Sequence, residues 1–292
     1  MKIITTIKAW KRPYYLKEVL NSLEATFDAD KQHIYISIDQ SPATKKETLE
    51  VINSYKYPST IQPVFHASKL GCAGNMRNCF EYVFDKKEAD AMIHLEDDTP
   101  VGIDIFKWST WAYNYMKNKD LFAACLFTRK CAEGEGTGKD PFDNIIKDHF
   151  DCGGGYLITR EQYNYIRSIK PIFGIVGPAS TEAEPDSWLR LQHITDDGSW
   201  AWPFNRYYRR GKLCLYPLVN RTNNIGAKDG RFNPSLDWHK DNILVKDWIR
   251  KEHFENIDIN NINYKIPNEN RDKRYINLKN WHAQELERIT NV

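Results

Sequence analysis

The chain has 292 residues, 41% of them hydrophobic and 27% charged, with 41 Lys and Arg against 39 Asp and Glu. These are the proportions of an ordinary soluble globular protein, long enough to bury a substantial core in one large domain or two small ones. A formal charge of +2 excludes a uniformly basic or acidic binder, although it leaves room for a local basic face.

Chain order begins with a β-branched run over 2–7, which predicts a strand. Pro13 opens a predicted helix over 13–23, where Leu16, Val19, Leu20 and Leu23 recur at helical spacing. Ile34, Ile36 and Ile38 stand at period two in a strand that ends in Asp39. A helix fits 43–55 and a strand fits 62–67. Residues 74–84 predict a helix with Met76, Cys79, Phe80, Val83 and Phe84 on one face, and 90–95 predict a fourth strand. Strands alternating with helices indicate a mostly parallel α/β sheet, whose ligands lie outside the carboxyl ends of the strands. Asp39 stands at one such end; the triplet Glu96, Asp97 and Asp98 stands at another.

Beyond Pro100 the pattern loosens. A helix over 104–116, a strand over 123–128, a glycine-rich loop over 133–141, a strand behind Gly153, Gly154 and Gly155, a helix over 160–169 and a strand over 212–219 are expected. A loop follows over 220–234, and the tail from about residue 268 predicts a helix outside the α/β unit. No apolar run approaches the roughly 20 residues of a membrane helix. The opening MKIITTIKAWKRPYY lacks the organisation of a signal peptide. The six cysteines form neither a CxxC pair nor a zinc spacing, so reduced thiols and a cytoplasmic location are expected.

An acidic triplet at a strand end suits a hard divalent cation such as Mg²⁺ or Mn²⁺, which takes oxygen ligands and is often held by one or two carboxylates plus substrate phosphates. A solvated acidic turn closed by Pro100 is the competing reading. The order ITTIKAWKRPYYLKEVLNSL, ISIDQS, KLGCAGNMRNCFEYVF and IHLEDDTPVG, covering residues 2–105, resembles the nucleotide-sugar-binding half of a GT-A fold glycosyltransferase. It is similar to the family 2-like enzymes and to the N-acetylglucosaminyltransferase I group, whose metal motif is also EDD. The resemblance implies a Rossmann-like α/β fold with a mostly parallel twisted sheet flanked by helices. In that scheme 1–105 is the donor half, 106–235 the acceptor and catalytic half, and 236–292 a partly helical C-terminal extension.

The resemblance also implies roles. Arg12 lies near the nucleotide of a UDP-sugar, and Asp39 bonds the uracil. Asn75 and Arg77 lie by the nucleotide and diphosphate, where a glycine-led helix N-terminus suits an anion. Asp97, with Glu96 beside it, approaches the ribose or sugar, and Asp98 coordinates Mn²⁺ or Mg²⁺. Inversion with a carboxylate base is implied, with Asp197 or Asp196 in HITDDGSWAWPF as the base and Glu182, Glu184 or Asp186 as rivals. Gly154 and Gly155 resemble the segment lining the sugar and acceptor side. YPLVNRTNNIGAKDG resembles a stretch that continues in several bacterial members with a metal-binding histidine. Here Arg231 and Phe232 follow Gly230, and His239 is the nearest substitute. Trp200 and Trp202 offer an acceptor platform or core packing.

Other classes compete. A nucleotidyltransferase should carry a glycine-rich loop after the first strand, and KAWKRPYY has no glycine. A glycosidase or a sugar-binding module leaves the segment 71–77 unexplained. The acceptor is a saccharide of the lipopolysaccharide or capsule type, or hydroxymethylated DNA. The second option fits a chain rich in Lys, Asn, Ile and Tyr, as from an AT-rich bacterial or phage genome. Arg206, Arg209, Arg210 and Lys212, with Arg271, Lys273 and Arg274, would then grip phosphates; an ordinary charged surface is the alternative.

Overall fold

Among the described residues thirteen principal elements follow one another: β1 (Ile3–Ala9), α1 (Pro13–Glu24), β2 (His33–Ile38), α2 (Lys45–Ser54), β3 (Thr60–Phe65), α3 (Gly71–Phe80), β4 (Ala91–Glu96), α4 (Ile105–Met116), β5 (Leu121–Cys125), β6 (Asn144–Lys147), β7 (Tyr156–Thr159), α5 (Arg160–Ser168) and β8 (Leu213–Pro217). They belong to a computed structural model that describes residues 1–55, 60–127, 140–147, 150, 154–168, 212–226, 237, 240 and 248–266. The predicted loop over 133–141, apart from its last two residues, and the predicted C-terminal helix lie outside these residues.

The strands join in one sheet of order β3–β2–β1–β4–β7–β5–β8–β6. The pairs β1–β2, β1–β4, β2–β3 and β5–β8 are parallel, and β4–β7, β5–β7 and β6–β8 are antiparallel. The chain winds outward from β1 through β2 to β3, then returns to lay β4 on the other side of β1. Strand order therefore reverses at the β1–β4 boundary, the place where open α/β sheets form a ligand crevice.

Alternation along the strands sends side chains to two faces. On one, Ile7, Ile93 and Leu95 pack with Leu16, Val19, Leu20 and Leu23 of α1 and with Trp108, Ala112 and Met116 of α4. On the other, Ile4, Met92 and Ile158 pack with Met76, Cys79 and Phe80 of α3 and with Tyr163 and Ile166 of α5. The result is helices on both faces of a central sheet. β3 is an edge strand, which is where Pro63, with no amide hydrogen to donate, is tolerated.

Three differences from expectation have physical causes. The helix predicted over 74–84 starts at Gly71 and continues as a π-helical turn over Glu81–Lys86, with the Tyr82 ring stacked 3.7 Å from that of Tyr35. β6 has no alternating signature, because its two isoleucines are adjacent. It is fixed by tertiary bonds, with Asn144 accepting from the Trp108 indole at 2.8 Å. β7 enters antiparallel between β4 and β5, an insertion that hydrophobic periodicity does not encode.

Ile93 is fully buried on a central strand. Ile93→Ala is expected to cost about 2–5 kcal/mol, read as a lower urea midpoint with an unchanged m-value.

Candidate functional site

The carboxyl end of β4 runs into a turn in which Thr99 N donates to Glu96 O at 3.2 Å and Thr99 Oγ1 accepts from Glu96 N at 2.9 Å. This turn places Asp97 and Asp98 beyond the end of β1, against Arg12. Parallel register sets Thr6 opposite His94 and Lys8 opposite Glu96, all on the α3 face. Thr6 Oγ1 lies 3.0 Å from His94 Nδ1, and Lys8 Nζ lies 3.0 Å from both Glu96 Oε1 and Cys72 Sγ. Burial works against the Lys8 ammonium, but Cys72 and Glu96 outweigh it and hold its pKa above that of an ordinary lysine. Burial, with Lys8 nearby, pushes the His94 imidazole well down, which favours its neutral form.

Arg12 is the main counterion of the crevice. It is the residue preceding Pro13 at the head of α1, and its carbonyl accepts from Leu16 N at 3.2 Å, so the backbone beneath the side chain is held by the helix start. Its Nη2 pairs with Asp97 Oδ1 and its Nη1 donates to Asp98 Oδ2 at 2.7 Å. Trp10 N also donates to Asp97 Oδ2, at 3.3 Å. Asp97 and Asp98 are only 3% and 5% exposed, and Asp98 Oδ1 is buried without a hydrogen-bond partner. Burial raises both carboxyls, and Arg12 offsets this in part. Asp97 and Glu96 add repulsion that leaves Asp98 pushed up to about 7.

Asp39 follows β2 and turns toward the head of α3. Its Oδ1 accepts from Leu70 N at 2.7 Å and Gln40 N at 2.8 Å, and its Oδ2 accepts from Gly71 N at 2.9 Å. Two amides of the helix start expected to receive an anionic ligand are thus taken by the protein's own carboxylate. Asn75 is buried and donates from Nδ2 to Ala9 O and Ser37 O, each at 3.1 Å, tying α3 to the ends of β1 and β2. Arg77 pairs with Glu81 one turn on, Nε to Oε1 at 2.6 Å.

Gly154 and Gly155 are buried, and packing accounts for their lack of side chains. A Cβ at Gly154 would lie 2.1 Å from Phe127 Cβ, and one at Gly155 would lie 2.9 Å from His94 O. Asp196, Asp197, Glu182, Glu184, Asp186, Trp200, Trp202 and His239 lie outside the described residues, as do the basic clusters apart from Lys212. The structure brings together Arg12, Glu96, Asp97 and Asp98, with Asp39 and Asn75 at the neighbouring strand ends. It adds Lys8, whose sole sequence signal is a charge inside a β-branched run, and Gly226. A Cβ on Gly226 would lie 1.9 Å from Asp98 Oδ2, a closeness that nothing local in the sequence announces.

No group of three or more His, Cys, Asp or Glu among the described residues is set to hold a metal. The described residues would therefore give a cation little more than Asp98 and Asp97, leaving other positions to substrate oxygens, which is how Mg²⁺ is commonly held. The orphaned, buried Asp98 Oδ1 fits that partial role.

No family model and no curated protein sequence matches the chain. Among solved structures it is similar to residues 1–349 of S. aureus TarS in complex with UDP-GlcNAc, at 15% identity and TM-score 0.35 over 49% of this chain and 38% of that one. It is similar to the mannosyltransferase PcManGT from Pyrobaculum calidifontis in complex with GDP-Man and Mn²⁺, at 10% identity and TM-score 0.42 over 55% and 45%. It is also similar to a cytidylyltransferase from Leptospira borgpetersenii serovar Hardjo-bovis, at 12% identity and TM-score 0.37 over 59% and 66%. The chain therefore spans less than half of the first two. Likenesses this shallow assign neither family nor activity.

Because folding raises the Asp98 pKa from 3.8 to about 7, the folded protein holds more protons than the unfolded chain between those values, and stability falls as pH rises through that window. In chelator, Asp98→Asn is expected to remove up to about 1.4 kcal/mol per pH unit of that decline. Urea titrations at pH 4.5 and 7.5 check this: the variant should gain on the wild type at the higher pH.

Proposed function

We propose that the protein is a glycosyltransferase that binds a UDP-sugar and a divalent cation in the β1–β4 crevice and passes the sugar to an acceptor hydroxyl. The observation that supports this most directly is the Asp98 carboxylate. It is buried at the point where strand order reverses, one oxygen on Arg12 and the other without a partner. A solvated acidic turn does not account for that geometry. The ordered motifs of residues 2–105 support the same reading.

In this reading Asp98, with Asp97 beside it, holds Mn²⁺ or Mg²⁺. When bound, the ion supplies Lewis-acid stabilisation of the departing diphosphate. Arg12 orients the two carboxylates and lies within the same crevice, where its guanidinium suits phosphate oxygens. Asp39 Oδ2 accepts one backbone bond, which leaves a lone pair for the imide N–H of a uracil. Glu96 is tied to Lys8 and serves as a wall of the site rather than a ligand. The acceptor's proton goes to a carboxylate, assigned to Asp197 with Asp196 as its neighbour, and displacement at the anomeric carbon inverts its configuration. A saccharide acceptor is preferred to hydroxymethylated DNA.

A donor screen that follows UDP release, with and without chelator, against saccharide and modified-DNA acceptors tests the proposal. Chelator-sensitive UDP release is expected, with Asp98→Ala abolishing stabilisation by UDP and Mn²⁺. Asp197→Ala should keep donor binding and lose about 10²–10⁴-fold in turnover. Release of pyrophosphate from a nucleoside triphosphate and a sugar phosphate would identify a nucleotidyltransferase instead, and no response to UDP with Mn²⁺ would end the donor reading.

A further inference from the structure

We infer that Arg221, Asp104 and Gly226 are positioning residues that fix the Asp98 carboxylate through a backbone strap over 220–226. The inference rests on the reading of Asp98 as part of the donor site. The strap runs antiparallel to the segment that follows the acidic turn. Gly102 N donates to Arg221 O at 2.7 Å, Asn223 N to Pro100 O at 3.1 Å, and Ile225 N to Asp98 O at 2.9 Å. Val101 and Thr222 face each other between the rungs as an antiparallel bridge.

The two ends of the strap differ in chemistry. At one end Arg221 is fully buried, with Nε and Nη2 on Asp104 Oδ2 at 3.3 and 3.1 Å and Nη1 on Val219 O at 2.6 Å. Tyr264 Oη donates to the same Asp104 oxygen at 2.8 Å. At the other end Gly226 lies so close that a Cβ would stand 1.9 Å from Asp98 Oδ2 and 3.2 Å from Arg12 Nη1. A buried ion pair is a poor source of net stability, and its best-attested use is to fix register. Register is what this strap needs. A slip of one residue would bring Ile225 or Ala227 against Asp98, and both carry a Cβ for which there is no room. The Asp104 pair thus acts at a distance, holding the glycine opposite the carboxylate and the carboxylate against Arg12.

The test uses Arg221→Lys, Gly226→Ala and, as a control for general destabilisation, Val83→Ala in the core of the opposite face. Amide exchange and the affinity for UDP in the presence of Mn²⁺ are measured on each. Arg221→Lys should speed exchange at Gly102, Asn223 and Ile225 while β1 and β4 stay protected, and should weaken UDP–Mn²⁺ binding about tenfold. Gly226→Ala should melt below the wild type, as Val83→Ala does, and weaken that binding about tenfold, whereas Val83→Ala should lose stability but no affinity. Unchanged exchange at the three rungs, or unchanged affinity in Gly226→Ala, overturns the inference. The second result decides even where Arg221→Lys fails to fold. Wild-type protein that binds no UDP with Mn²⁺ removes the donor reading and the inference with it. Wild-type binding that the variants share removes the inference alone.

Discussion

One guanidinium shared between two buried carboxylates is the interaction on which the site depends. Arg12 lies against Asp97 and Asp98, both almost out of contact with water, and ionised carboxylates in that environment are tolerated only when paired. The sheet supplies the rest of the compensation. Parallel register places Lys8 beside Glu96, so two cations face three carboxylates at neighbouring strand ends and leave one formal negative charge. The pressure of that excess shows in Asp98, whose carboxyl is pushed up by burial and by its acidic neighbours even with Arg12 in place. The fold, not the solvent, maintains that unbalanced charge.

Polar residues also sit inside the sheet itself. Thr6, Lys8, His94 and Glu96 form a polar stripe on the α3 face of β1 and β4, where flanking positions are Ile4 and Met92. The stripe bonds within itself, through Thr6–His94 and Lys8–Glu96, so each member has a polar partner where the strands pair. Period-two alternation makes this possible, because Ile7, Ile93 and Leu95 on the reverse face build the apolar core with α1 and α4.

Local signals made the first hundred residues legible. Pro13 did mark the start of α1, the spaced leucines did form its buried face, and Asp39 and the acidic triplet do stand at strand ends. What could not be read was whatever depends on long-range pairing. β6 owes its place to Trp108 and Asn144, and β7 lies antiparallel to both neighbours without any change in its pattern. Arg221 and Asp104 are 117 residues apart, one in a predicted loop and the other opening a predicted helix, and neither position announces the pair. Gly226 belonged to a stretch already marked by its resemblance, yet its contact with Asp98 arises only when the strap is laid beside the turn. A charge's burial and a glycine's neighbours are tertiary facts, and they are the ones that define this site.

The head of α3 shows how the crevice divides its resources. A glycine-led helix start is a natural anion cradle, because its first amides have no partner within the helix. Here Asp39 takes the amides of Leu70 and Gly71, so the helix spends part of its field on a side chain from β2. That bond fixes the β2 end to α3 and holds Asp39 in a single orientation, while Asn75 reinforces the junction through Ala9 and Ser37. A phosphate in the crevice must then find its compensation elsewhere. The nearby group with that chemistry is Arg12, whose attachment to Asp97 and Asp98 places positive charge and carboxylate oxygens side by side. Under the donor reading proposed above, a diphosphate and a divalent ion would need both, and the β1–β4 boundary sets them side by side.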